Sequence, residues 1–100
     1  MARLKVTVLK RMFNEELAKK HCNPGASICD KFKEGQEFVV EGLDQPAGFC
    51  AWAWDDIHKV ILTLRSGGNF KPWMAADNNI IACCSDGIRP VVFNIERIPD

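Results

Sequence analysis

The five cysteines are the residues of this chain best suited to chemistry, and two of them are adjacent. Cys83 and Cys84 stand in the stretch IIACCSDGIRPVVF, between an apolar run and an Asp-Gly turn. Thiols can pack as small apolar residues, bind soft metals, take part in redox reactions or act as nucleophiles. The surroundings of each cysteine decide which of these uses the sequence favours.

Adjacent strand residues point to opposite faces of a sheet, so the sulfurs of Cys83 and Cys84 are expected to diverge. A hairpin with a four-residue loop would place Cys84 opposite Arg89 and Cys83 opposite Pro90. A disulfide between neighbours is disfavoured, because their Cα atoms are only about 3.8 Å apart. A nearby guanidinium favours a thiolate, which makes Cys84 a candidate nucleophile with Arg89 holding an anionic substrate. The alternative is that Cys84 is a small core residue.

Two further cysteines occupy positions that favour chemistry. Cys50 begins the longest predicted helix, where free N–H groups favour a thiolate, so it is the second candidate nucleophile; alternatively it packs in the core. Cys29 precedes the second predicted strand, and its spacing from Cys22 matches no standard zinc motif. Thiols from distant segments that meet would suit a soft transition metal or an iron–sulfur cluster. The predicted metal ligands are Cys29, Cys50, Cys83 and Cys84.

Three tryptophans and a histidine complete the set of candidates. Trp54 falls on the apolar face of the long helix, whereas Trp52 falls on the polar face and indicates a partner surface or a lid carried by Trp73. His58 lies about 12 Å along the helix from Cys50, too far for a Cys-His dyad, and a structural role is the alternative. The predicted ligand-binding residues are Trp52, Trp54, His58, Trp73, Asp86 and Arg89.

The composition excludes several functions. Lys and Arg together number 13, as do Asp and Glu, so the formal net charge is zero and nucleic acid is not expected as a partner. The amino-terminal residues MARLKVTVLKR carry a charge every few positions, which argues against a signal peptide or a membrane span. A reducing cytoplasm is the expected compartment. The cysteines of the protein would then be free, metal-bound or catalytic rather than joined in disulfides.

The elements that must position these residues follow from periodicity. LKVTVLK and GQEFVVEG alternate as half-buried strands, EELAKKH is a short helix, and residues 49–65 place one broad apolar stripe on a long helix. IIACC and RPVVFNIERI form the hairpin. The predicted fold is α+β, with an antiparallel sheet of about four strands, flat or strongly curled, in the order β-α-β-α-β-β. We expect one domain over residues 1–100, with the first strand beside the last.

Three stretches carry a resemblance that extends over nearly the whole chain: CDKFKEGQEFVVEG, GFCAWAWDDIHKVILTLRSGGNF and IACCSDGIRPVVFNIERI. They resemble an uncharacterised family of small single-domain proteins of anaerobic bacteria and archaea. The segment HCNPGAS lies outside that pattern. The resemblance implies a cysteine- and tryptophan-rich site but no reaction. The positions that match the family pattern are Cys29, Gly35, Cys50, Trp52, Trp54, Trp73, Cys83, Cys84, Asp86, Gly87, Arg89 and Pro90.

Two classes of function remain open from the sequence, and a third is less favoured. The first is a small cytoplasmic binding protein whose cysteine-lined, tryptophan-walled pocket holds a soft metal, an iron–sulfur cluster or a small redox ligand. The second is a cysteine-dependent enzyme that uses Cys84 or Cys50 with Arg89. The third is an accessory subunit that docks on a larger enzyme through Trp52, or a homo-oligomer. No general base stands at a convincing spacing, so the binding protein is favoured.

Overall fold

The computed structural model describes residues 3–99 and contains two helices and four strands. The alternating and amphipathic segments of the sequence form these elements at close to the expected positions. In chain order the elements are β1 (Arg3–Arg11), α1 (Glu15–His21), β2 (Glu37–Val40), α2 (Ala51–Arg65), β3 (Asn79–Cys83) and β4 (Val91–Ile98).

The four strands form one open antiparallel sheet in the order β2-β1-β4-β3. The predicted α+β class and element order are therefore confirmed, and the first strand lies beside the last as expected. A register shift between Val8 and Lys10 marks a bulge in β1 opposite β4. Beside the bulge, the Val8 carbonyl accepts the Gly35 N–H at 2.7 Å, and this contact joins the segment before β2 to the sheet.

Helix α2 covers one face of the sheet, and the core lies between them. Its apolar stripe is buried as the 3.6-residue period predicts, with Ile57, Ile61 and Leu64 fully enclosed. The sheet side alternates in the same way, so Val91 and Phe93 of β4 are buried. These contacts fix which end of α2 meets which part of the sheet.

An aromatic cluster closes the core beside the first turn of α2. Phe32 is 2% exposed and makes edge-to-face contacts with Phe38, Phe49 and Phe93, with ring centroids 5.1 to 5.9 Å apart. Such pairs contribute about 0.5–1.5 kcal/mol beyond the area they bury. Phe32 therefore anchors the segment between α1 and β2, which has no regular structure of its own, against the sheet.

The predicted register of the hairpin is wrong by two residues. Cys83 pairs with Val92, and the Cys84 N–H donates to the Val91 carbonyl at 3.0 Å, so Cys84 lies opposite Val91 rather than Arg89. The loop consequently spans residues 85–90. It is wider than expected because its carbonyls bond to the chain that follows β1, where Met12 N–H donates to Pro90 at 2.8 Å.

The predicted orientation of the two adjacent cysteines survives this correction, because a shift of two residues keeps each side chain on its face. Cys84 is 8% exposed and belongs to the core, whereas Cys83 is exposed on the opposite face. None of the helices within residues 3–99 is long and apolar enough to cross a membrane.

Candidate functional site

Three of the five cysteines line one cavity of about 370 Å³ at the first turn of α2. Cys29 comes from the segment before β2, Cys50 from the residue that precedes α2, and Cys84 from the end of β3. We call this space the three-cysteine cavity. Its walls are formed by Cys29, Asp30, Lys31, Phe32, Cys50, Trp52, Ala53, Cys84, Asp86, Arg89 and Val91.

Cys50 is the N-cap residue of α2 and has extended backbone angles, with φ −80° and ψ 127°. Its carbonyl accepts the Trp54 N–H at 2.9 Å, but its side chain makes no capping hydrogen bond, and the first turn contains no acidic residue. The first N–H groups of a helix have no partners within the helix. The positive end of α2 therefore opens on the cavity, whose wall includes Trp52 and Ala53 of this first turn.

Cys84 lies at the inner end of the cavity, just beyond β3. The Val91 N–H donates to the Cys84 sulfur at 3.3 Å, while the Cys84 N–H donates to the Val91 carbonyl. These two bonds continue the β3–β4 ladder by one residue, with the sulfur as the acceptor of one of them. The position of this sulfur is thus set by the sheet rather than by the loop that follows.

Cys29 is held by a residue that does not line the cavity. The Arg11 guanidinium donates to the Cys29 carbonyl at 2.9 Å and to the Glu34 carboxylate at 3.0 Å. The hydrogen bond from Arg11 holds the pKa of Glu34 below its ordinary value of 4.5. Arg11 therefore joins the end of β1 to both ends of the segment 29–34, which contributes Cys29 and Phe32 to the cavity wall.

The loop 85–90 forms the mouth of the cavity and is ordered by Asp86. One Asp86 oxygen accepts the N–H groups of Arg89, at 3.0 Å, and Ile88, at 2.9 Å, and the other lies 3.5 Å from Arg89 Nε. The Arg89 and Ile88 N–H groups hold the pKa of Asp86 below its ordinary 3.8, although partial burial opposes this. The arrangement keeps Arg89 at the cavity.

Two hydrogen bonds tie this loop to α2. The Trp52 indole N–H donates to the Ser85 hydroxyl at 2.7 Å, and the Ser85 N–H donates to the Asp56 carboxylate at 2.7 Å. Trp52 remains 63% exposed although it lines the cavity. The distance between the helix side and the hairpin side of the cavity therefore depends on Ser85.

Several residues that the sequence assigns to the pocket lie elsewhere. Trp54 is 8% exposed in the core, and its ring contacts Phe49 and His58. His58 belongs to this core contact, and Trp73 is 80% exposed; neither lines the three-cysteine cavity, and Trp73 does not cover Trp52. Cys83 points to the opposite face of the sheet and is separated from the site. Of the predicted ligand-binding residues, the structure brings Trp52, Asp86 and Arg89 to the cavity.

A second cavity of about 320 Å³ lies beside α1, and Cys22 lines it. The other side chains at its wall include Phe13, Glu15 and Lys19. It has one thiol and no group that sequence or structure marks for chemistry. We therefore place the candidate site at the three-cysteine cavity.

The donor set of the three-cysteine cavity is suited to soft metals, but its arrangement does not fit a single ion. Within residues 3–99, no three His, Cys, Asp or Glu side chains stand close enough together to hold one metal ion. A mononuclear site on Cys29, Cys50 and Cys84 would require side chains or backbone to move. A ligand that spans the cavity and meets the thiols separately fits the present positions better.

No sequence pattern selects Asp30, Lys31 or Phe32, although all three line the cavity. Their segment has no periodicity, and only the neighbouring Cys29 marks it. Ser85 and Arg11 were also missed. An Arg at the end of a strand and a Ser before an Asp-Gly turn are common, and their roles depend on contacts between residues distant in sequence.

Comparisons with known proteins place no constraint on the site. No family model matches the sequence, and neither a curated protein nor a solved structure matches it. The resemblance to the family of small anaerobe proteins thus stays a prediction, and the functional argument depends on the geometry alone.

Proposed function

We propose that this protein is a small binding protein whose ligand occupies the three-cysteine cavity and contacts its thiols. The observation that carries the proposal is that Cys29, Cys50 and Cys84, from three separate segments, line one cavity. Structural cysteines are usually buried, whereas Cys29 and Cys50 are partly exposed and line the cavity together with charged side chains. We place the protein in the cytoplasm, where thiols remain reduced.

The ligand is a small redox-active or thiophilic molecule rather than a single metal ion. The separated donors argue for a species with several contact points, and the cavity volume of about 370 Å³ is at the small end of the range for ligand sites. An iron–sulfur cluster also has several contact points, so it remains an outcome of the test below.

A cysteine-dependent enzyme is the second candidate. It is favoured by Arg89, which lines the cavity; within residues 3–99 its side chain contacts Asp86 through Nε, and its two terminal nitrogens stay available for an anionic substrate. Cys84 or Cys50 would be the nucleophile. No histidine is among the described residues that line the cavity, so an enzyme here would need chemistry without an imidazole base.

The test is isolation of the untagged protein without oxygen, followed by metal analysis, an ultraviolet–visible spectrum and site-resolved thiol alkylation. Binding predicts that Cys29, Cys50 and Cys84 are protected together and become reactive after the ligand is removed by a chelator or a reductant. Cys22 and Cys83 are internal references, because neither lines the cavity. Stoichiometric iron with thiolate absorption would identify a cluster.

The alternatives give different results in the same experiment. Rapid alkylation of Cys84 or Cys50 in metal-free protein, with no ligand to remove, would favour the enzyme. Slow alkylation of all three cavity thiols, unchanged by chelator or reductant, would contradict both proposals and leave the cysteines as packing residues.

A further inference from the structure

The cavity wall carries two cationic side chains that the proposed function does not by itself require. Lys31 and Arg89 both line it, and no ion pair involving Lys31 occurs in the described part of the chain. Arg89 has one carboxylate neighbour, Asp86, of which one oxygen accepts the two loop N–H groups and the other lies 3.5 Å from Arg89 Nε. Asp30 is the other acid at the wall. The two terminal nitrogens of Arg89 are the donors best placed for a ligand.

The uncapped start of α2 adds a partial positive charge to the cavity wall. Cys50 makes no side-chain cap, and no acidic residue stands in the first turn, although Asp and Glu are the residues that helices commonly place there. The free N–H groups of a helix start bind anions well. Because Cys50, Trp52 and Ala53 line the cavity, this helix end and Arg89 border the same space.

The three thiols that line the same cavity are potential nucleophiles. Cys84 is the most enclosed of them, at 8% exposed, and the Val91 N–H already donates to its sulfur at 3.3 Å. An N–H donor is also a good partner for a sulfur that carries negative charge. A ligand with its charge between Arg89 and the helix start would meet thiol sulfur at its other end.

We infer, building on the proposed function, that the ligand is a small anion with an electrophilic sulfur, and that Cys84 accepts this sulfur as a persulfide. Thiosulfate is the simplest member of this class. After the Cys84 thiol loses its proton to solvent, its sulfur attacks the outer sulfur of thiosulfate. The sulfur–sulfur bond of thiosulfate breaks, and sulfite leaves with its electron pair.

This reaction suits the residues present. The products are the Cys84 persulfide anion and sulfite, so charge and sulfur balance and no further oxidant or reductant is consumed. The leaving group departs as an anion, so no general acid has to protonate it. A cavity without histidine can therefore support the step. Arg89 and the start of α2 would hold the sulfite oxygens as they gain charge.

The experiment treats the reduced, oxygen-free full chain with thiosulfate and measures released sulfite and the site of the added sulfur. Alkylation followed by peptide mass spectrometry locates the persulfide as one extra sulfur atom. We expect it on Cys84, with sulfite released in equal amount. We expect sulfate, a dianion that cannot transfer sulfur, to slow the reaction by competing for Arg89.

Matched variants separate the contributions. Cys84→Ala should abolish sulfite release, and Cys83→Ser, next to it on the opposite face, should leave the release unchanged. Arg89→Gln should slow the reaction by about tenfold, the loss of one charge-assisted hydrogen bond. Lys59→Gln, an exposed charge change in the middle of α2, should not slow it. Circular dichroism checks that each variant is folded, and persulfide mapping in the unaltered protein does not depend on the variants.

Persulfide on another cysteine, sulfite release that survives in Cys84→Ala, or no sulfite release at all would overturn the inference. The alkylation experiment on the isolated protein distinguishes this failure from failure of the proposed function. Cavity thiols protected by a removable ligand, in a protein inert to thiosulfate, would retain the binding protein and reject the sulfur anion.

Discussion

The two ends of α2 differ in how completely their backbone groups are satisfied. At the C-terminal end, the Arg97 guanidinium donates to the carbonyls of Leu64, at 2.9 Å, and Gly68, at 2.6 Å, and also bonds the Asp77 carbonyl. The Gly68 N–H donates to the Thr63 carbonyl at 2.9 Å. At the N-terminal end, Cys50 provides no side-chain cap, and a cavity takes the place of packing. The C-terminal end of α2 stabilises the fold, whereas the N-terminal end leaves backbone N–H groups available for a ligand.

This contrast is the usual cost of a binding site. Groups that a ligand must contact cannot also be used to close the fold, so sites tend to be less stable than the structure around them. Here the same helix serves both purposes, and the fully buried Ile61 and Leu64 lie toward the closed end. We therefore expect substitutions at the two ends to separate stability from binding.

The largest effect is expected from Leu64→Ala, which removes a fully buried side chain beside the closed end of α2. The lost burial and the remaining cavity should lower the free energy of unfolding by about 2–5 kcal/mol. Urea unfolding measures the loss, and alkylation of the folded fraction should show unchanged reactivity of the three cavity thiols. A loss below about 1 kcal/mol would contradict the division between the two ends.

Arg97→Met should have the next largest effect. It retains an apolar stem but removes three hydrogen bonds to carbonyls at and beyond the end of α2. We expect a loss of about 1–3 kcal/mol in the free energy of unfolding, measured in the same way. The matched control is Arg3→Met, which removes one exposed hydrogen bond to Pro99 and an exposed ion pair with Glu41 and should change stability by less than about 0.5 kcal/mol. Equal losses in the two variants would show that the helix end is not specially stabilised.

Cys50→Ser should raise the free energy of unfolding, whereas the two preceding variants lower it. Serine is a good N-cap, and Cys50 already has the extended backbone angles that a cap requires, so the variant should gain roughly 0.5–1 kcal/mol. Its ligand binding should be lost, because a thiol at the open end is replaced by a hydroxyl. Thermal unfolding and the alkylation pattern measure the two effects, with Cys83→Ser as the control. A less stable Cys50→Ser protein would contradict the claim that this end is left uncapped at a cost.

The smallest effect concerns Asp86 and pH. Because the folded pKa of Asp86 lies below its ordinary 3.8, the carboxylate contributes its full stabilisation above pH 3.8 and loses it as the pH falls through the folded value. Unfolding free energies measured through this acid range should fall more steeply in the wild-type protein than in Asp86→Asn, which does not titrate there. Parallel curves would mean that Asp86 does not order the loop around Arg89.

Local periodicity predicted much of the fold. The alternation of β3 and β4 predicted that Cys84 and Cys83 lie on opposite faces of the sheet, and the helical period of α2 identified its buried face. The hairpin register was not predictable from those segments, because the loop bonds to the chain after β1. Only the folded chain brings Met12 next to Pro90.

The site was predictable in part: three of the four candidate cysteines line the cavity, as do Trp52, Asp86 and Arg89, but the rest of its wall was not predicted. Cys29, Cys50 and Cys84 each precede or follow a recognisable element, and chain topology brings those element ends together. Trp54 was expected both on the apolar stripe of α2 and at the pocket, and Trp73 was expected as a lid; the structure places Trp54 in the core and Trp73 in solvent. The role of Arg11 depends on a contact with Cys29, 18 residues away, that no local pattern indicates.

The most direct test of the account is whether Cys29, Cys50 and Cys84 can be bridged to one another in the folded protein. A short reagent with two thiol-reactive groups, followed by peptide mass spectrometry, would identify the bridged pairs. We predict bridges among these three thiols, lost in urea, with Cys22 and Cys83 carrying only single-ended adducts. Bridges that involve Cys83 as often as Cys84, or single-ended adducts on all five cysteines, would contradict a shared three-cysteine site.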